Sequence, residues 1–139
     1  MCIRDSHIAC VWDESTGLKM YIGGVLVGED ANALFPSIDI LPSDSNLFGD
    51  RPSSNLDNAF DGELDEVRIW SVARSESQIQ AAMGGPIGGS EAGLVGYWRF
   101  DEGAGQSSED WSAGAATIQL GTDPGPDTED PTWSAADPW

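Results

Sequence analysis

The amino-acid sequence predicts an all-β protein, an antiparallel β-sandwich that carries one short helix. Three observations predict it. Short apolar or alternating segments recur along the chain, separated by clusters of Gly, Pro, Asp, Asn and Ser. Only one segment has a helical pattern. The chain has 139 residues, 40% of them hydrophobic and six of them Trp, which is enough for one modest core and too apolar for a disordered acidic tail.

Residues 7–12 (HIACVW) form the first apolar run, and the following DESTG at 13–17 is turn chemistry. Residues 18–22 (LKMYI) alternate, Gly23-Gly24 is a two-residue hairpin signal, and Val25-Leu26-Val27 returns. Residues 7–27 therefore predict three consecutive antiparallel strands. Residues 34–41 are a fourth apolar stretch, which Pro36 places at an edge or a bulge. Residues 42–58 (PSDSNLFGDRPSSNLDN) read as a long polar loop with Leu47-Phe48 at its centre, and structureless loops of that length usually do or bind something.

Residues 60–70 (FDGELDEVRIW) predict a strand with a charged beginning and an apolar end. Leu64, Glu66, Arg68 and Trp70 share one side of it; Glu63, Asp65, Val67 and Ile69 share the other. The helix falls within 72–83. Ser75 and Gln78 make a capping box, Ile79, Ala82 and Met83 line one face, and Gly84-Gly85-Pro86 stops it. Residues 93–100 (GLVGYWRF) predict a further strand, 101–113 a Gly/Ser/acidic loop, 116–120 (ATIQL) a last strand, and 122–131 an irregular Pro-rich acidic segment.

Charge narrows the function. There are 24 acidic residues against 6 basic ones, a net charge of −18. Nucleic acid and anionic membrane surfaces both call for basic patches, so neither is an expected partner. No apolar run is long enough to span a bilayer. A single His, His7, excludes a His-rich zinc site, and Cys2 and Cys10 form no C-x-x-C pair. No phosphate-binding G-x-x-x-x-G-K-[ST] loop exists. Residues 1–6 (MCIRDS) lack the apolar core of a signal peptide and read as a truncated or non-native start.

The stretch FDGELDEVRIW, then Ala73-Arg74-Ser75 and the helix, resembles laminin G-like and pentraxin-like domains of the concanavalin A-like superfamily. HIA at 7–9 with LKMYIGG at 18–24 is similar to that family's H-V-A … L-x-L-Y-[VI]-D-G hairpin, although Gly23 stands where Asp is common. GLVGYWRFDEGAG at 93–105 resembles a strand of bacterial members. The likeness covers most of residues 7–120. It implies a jelly roll of which 7–121 is the C-terminal portion, preceded by residues 1–6 and followed by an acidic tail or linker, 122–139. Alternatively, the GLVGYW strand opens a next repeat.

The resemblance also implies a function. Family members commonly bind calcium and present carbohydrate or protein partners at the sandwich rim or on a sheet face. Calcium takes about six to eight oxygen ligands. The 42–58 loop offers Asp44, Asn46, Asp50, Asn55, Asp57 and Asn58, of which Asp50, Asn55, Asp57 and Asn58 are the expected ligands, and Asn55 and Asn58 align where pentraxins place a Glu and a Gln that bind calcium. Asp65 aligns with a strand Asp that holds a structural calcium in related sandwiches. The bland alternative is that the loop acids are solvated, with Asp57 and Asn58 forming turns. Laminarinase-like glycosidases share the sandwich and use E-[IL]-D-x-x-E, with carboxyls about 5–5.5 Å apart. Glu63-Leu64-Asp65 begins that pattern, but Arg68 occupies the second Glu position, so catalysis is not expected.

Trp70 and Trp98, on alternating strands, are expected in the core; Trp111, Trp133 and Trp139 are expected to be more exposed. Cys10 is expected to be a small buried hydrophobe, and Arg68 and Arg74 to neutralise nearby acids. The expected protein is a non-catalytic, secreted or cell-surface bacterial recognition or adhesion module. It would bind carbohydrate or an extracellular protein with help from calcium. The alternatives are a structural spacer repeat without ligand and, less favoured, a glycoside hydrolase fragment.

Overall fold

A computed structural model of the chain describes residues 7–33, 62–114, 116–121 and 131–134. The expected strand at 34–41 and the loop at 42–58 lie outside them. The described residues form antiparallel sheets and one short helix, in keeping with the predicted class.

The first sheet is built from β1 (Ile8–Asp13), β2 (Gly17–Ile22) and β3 (Val25–Asp30), in that order. Both of its turns follow from local chemistry. Asp13 Oδ1 accepts from the backbone amides of Ser15 (2.9 Å) and Thr16 (3.1 Å), closing the β1–β2 turn. Gly23 and Gly24 have φ of 57° and 75°, the pair of positive values a two-residue hairpin of matching twist requires. Pairing sets Ile8 against Ile22, Cys10 against Met20 and Trp12 against Leu18. Those six residues therefore share one face, while Ala9, Val11, Lys19 and Tyr21 share the other.

The second sheet pairs β4 (Val67–Trp70) with β5 (Leu94–Trp98). The alternating pattern predicted a strand from residue 60, but 62–66 are not strand and the ladder begins at Val67. Glu66 is the reason: its φ of 53° lies in the left-handed region and ends extended geometry just before β4. The helix α1 (Glu76–Ala82) is capped as expected. The Ser75 hydroxyl accepts from Gln78 N (3.3 Å), and the Gln78 side chain accepts from Ser75 N (2.9 Å). Within the expected 101–113 loop a two-residue strand, β6 (Ser107–Ser108), pairs with β7 (Ile118–Gln119).

Among the described residues the buried apolar ones are Tyr21, Ile79, Leu94, Tyr97, Trp98 and Leu120. They place the core between the Tyr21 side of the first sheet, α1 and β5. Gly24 seals that contact: its carbonyl accepts from Gln80 Nε2 (2.9 Å), and a Cβ there would meet Gln80 Cγ at 2.8 Å and Met83 Sδ at 2.9 Å. The opposite face of the first sheet is open. Ile8 and Val25 are each 58% exposed, and Leu18, Met20 and Ile22 are exposed beside them. Cys10 lies on this open face. The expectation of a buried thiol is corrected: alternation puts it on the side that no described element covers.

Candidate functional site

The DEVR segment, which carries the family resemblance, turns out to be a buried clamp. Glu66 and Arg68 side chains are 7% and 8% exposed, and they form an ion pair. Arg68 Nη1 donates to Ala82 O (2.5 Å) and Nη2 to Gly85 O (2.6 Å), so it ties β4 to the end of α1 and the following turn. The Tyr97 hydroxyl donates to Glu66 Oε2 (2.8 Å) and accepts from Ile87 N (3.1 Å). Arg99 Nε approaches Glu66 Oε1 at 3.7 Å. Burial, with the Glu66 carboxylate adding to it, pushes the Tyr97 phenol above its ordinary value despite the Ile87 donor. The expected neutralising role of Arg68 holds, and it also caps the last helix carbonyl, Ala82 O, and that of Gly85 in the following turn. Among the described residues Arg74 forms no ion pair; its guanidinium lies 4.0 Å over the Trp70 ring.

A second carboxylate organises the loop after β5. Asp110 Oδ1 accepts from Tyr97 N (3.0 Å) and Ser112 N (2.8 Å), and Oδ2 from Ala116 N (3.0 Å). Burial pushes its carboxyl up, but these donors outweigh it and hold the group below its ordinary value. The Trp98 indole donates to Ala116 O (2.8 Å), the Trp133 indole donates to Gly105 O (2.8 Å), and Trp111 is 52% exposed.

Of the expected calcium ligands, Asp50, Asn55, Asp57 and Asn58 lie outside the described residues. Asp65 is half-buried, and its Oδ1 accepts from Glu66 N at 2.9 Å. Among the described residues no three His, Cys, Asp or Glu side chains gather closely enough to hold a metal ion. Asp65 thus offers one carboxylate, and the other expected ligands lie outside the described residues.

What the sequence did not single out is a groove of about 410 Å³ between the first sheet and the start of α1. Asp13, Lys19 and Tyr21 line it from the sheet, Arg74 and Ser75 from the β4–α1 connection, and Glu76 from α1. The groove joins segments more than fifty residues apart, which spacing along one strand cannot reveal. Only the scarcity of bases could have drawn attention to Lys19 and Arg74. A second depression, of about 390 Å³ beside β6 and β7, has no charged lining residue. Among the described residues no helix is long and apolar enough to cross a membrane.

Comparison with curated proteins finds no match. Among solved structures, a crystal structure of a Bacteroides ovatus ATCC 8483 protein, provisionally described as carbohydrate binding, is similar in fold. Its TM-score is 0.55 at 24% identity, over 88% of this chain and 38% of that one. The chain thus spans well under half the length of that protein. The laminin G-like sequence pattern of the concanavalin A-like lectin/glucanases superfamily matches residues 6–80, more than half of the chain. With antiparallel sheets, one capped helix and the DEVR clamp in place, the chain belongs to the concanavalin A-like lectin/glucanases superfamily.

Proposed function

We propose that the chain is a non-catalytic carbohydrate-binding module of a secreted or cell-surface protein, with calcium ordering its rim loop. The superfamily holds both lectins and glucanases, and one observation carries the choice between them. Arg68 stands where a glucanase needs its second carboxylate, and the Arg68 head group is consumed by Glu66, Ala82 O and Gly85 O. An acid/base partner for Glu63 is therefore missing from that segment. The carbohydrate assignment is supported by the superfamily and by the description of the structurally similar Bacteroides protein.

Calcium would draw on Asp50, Asn55, Asp57, Asn58 and Asp65, oxygen donors suited to a hard cation. A glycan microarray probed with and without EDTA tests the proposal, paired with melting curves across a calcium titration. Glycan binding that weakens in EDTA, and a melting temperature that rises with calcium, are expected. A blank array sinks the carbohydrate reading. A calcium-independent melting temperature sinks the metal part alone, and loss of a soluble glucan by hydrolysis, abolished in Glu63→Gln, sinks the non-catalytic part.

A further inference from the structure

We infer that the groove between the first sheet and the start of α1 is a saccharide-binding site for uncharged, polyhydroxylated sugars, separate from any calcium-dependent rim. This rests on the carbohydrate-binding reading above and adds to it a location and a ligand class. The observation behind it concerns the scarce bases. Four of the six lie in the described residues: Lys19, Arg68, Arg74 and Arg99. Arg68 is committed to Glu66, and Arg99 to Asp101 at 2.5 Å with Glu66 at 3.7 Å. Lys19 and Arg74, the two without an ion pair among the described residues, line the same groove.

In a protein of charge −18, two cations without an ion pair lining one groove mark a place where donors are held for something other than internal pairing. Arg74 is pre-set for this, because stacking on Trp70 fixes its plane and leaves the edge N–H groups to donate.

The acceptors opposite them decide the ligand class. Asp13 and Glu76 put two carboxylates in the groove, so its lining charge cancels. The turn bonds of Ser15 and Thr16 all fall on Asp13 Oδ1, and among the described residues none reaches Oδ2. Those bonds hold the Asp13 carboxyl below its ordinary value, so it is an acceptor at neutral pH. Sugar hydroxyls are both donors and acceptors, and a lining with carboxylates and cations side by side satisfies both roles. A sulfate or uronate would use only the donors and would face two carboxylates and the −18 field. Tyr21, buried beneath the groove, adds an aromatic residue to its lining.

The test is a microarray of neutral, uronate-bearing and sulfated oligosaccharides, probed with the native chain, Arg74→Gln and Lys19→Ala in EDTA. Circular dichroism melting checks that each variant folds. The native chain is expected to bind neutral glycans in EDTA, and each variant to lose at least about tenfold in affinity, the effect of one hydrogen bond to a charged group. Glycan binding that persists unchanged in both folded variants overturns the groove while leaving the carbohydrate reading intact. Preference for sulfated or uronate-bearing glycans overturns the ligand class. Binding that disappears in EDTA places the sugar at the calcium-dependent rim and overturns the inference. If Arg74→Gln fails to fold, Lys19→Ala decides alone, since the backbone pairing of Lys19 with Val11 and Glu29 does not depend on its side chain.

Discussion

Glu66 concentrates more of this structure than any other single residue. It accepts from Tyr97, pairs with Arg68, faces Arg99, and holds a backbone conformation that non-glycine residues seldom adopt. The buried charge is what makes the strained φ tolerable. Removing the carboxylate leaves Arg68 in the interior without its counter-charge, a change that costs about 3–5 kcal/mol. Glu66→Ala should lose stability of that order in urea unfolding. Glu66→Gly loses the same charge but relieves the strain, so it should recover about 1 kcal/mol of it. If both variants stay within about 1 kcal/mol of the native chain, the ion pair does not hold β4 in place. The motif letters identified this segment, but they did not show its geometry. Alternation put Glu66 and Arg68 on one side, as observed; that Glu66 stands outside the strand depends on partners 31 and 33 positions away, Tyr97 and Arg99.

Elements whose signals are local were legible, and those assembled at a distance were not. The Ser75–Gln78 capping box and the Gly23-Gly24 hairpin are each closed by neighbouring residues, so the letters sufficed. Cys10 was misplaced because a strand's pattern shows that two faces differ, without showing which one is covered. The groove needed two segments brought together by the fold. The segment after β5 is of the second kind, since one carboxylate, Asp110, gathers the amides of Tyr97 in β5 and of Ser112 and Ala116 beyond it. Its carboxyl titrates below the ordinary value of 3.8, so the folded state binds its proton less readily than the unfolded chain. That stability is complete above the unfolded value and disappears as pH falls through the folded one. The melting-temperature gap between the native chain and Asp110→Asn should accordingly be widest near neutrality and close below about pH 4. A gap of constant size down to pH 2.5 would show that the amides do not rely on the charge.

At the scale of the whole molecule two forces oppose each other. The open face of the first sheet presents Ile8, Cys10, Leu18, Met20, Ile22 and Val25, with one acid, Asp30, opposite Leu18. Apolar area of that kind favours association at roughly 25 cal/mol per Å² covered. Against it stands a net charge of −18, which makes copies of the chain repel each other. The two terms respond differently to salt. Screening shortens the reach of the repulsion from about 10 Å at 0.1 M to about 3 Å at 1 M, whereas added salt does not weaken apolar burial. Sedimentation velocity should therefore show a monomer at low ionic strength and growing association as sodium chloride is raised. Met20→Lys sets a charge at the centre of the face, opposite Cys10, and should keep the chain monomeric at the higher salt. A sedimentation coefficient that stays constant with salt in the native chain would mean that the face is not sticky enough to overcome the residual charge. Association that survives Met20→Lys would place the contact elsewhere on the surface.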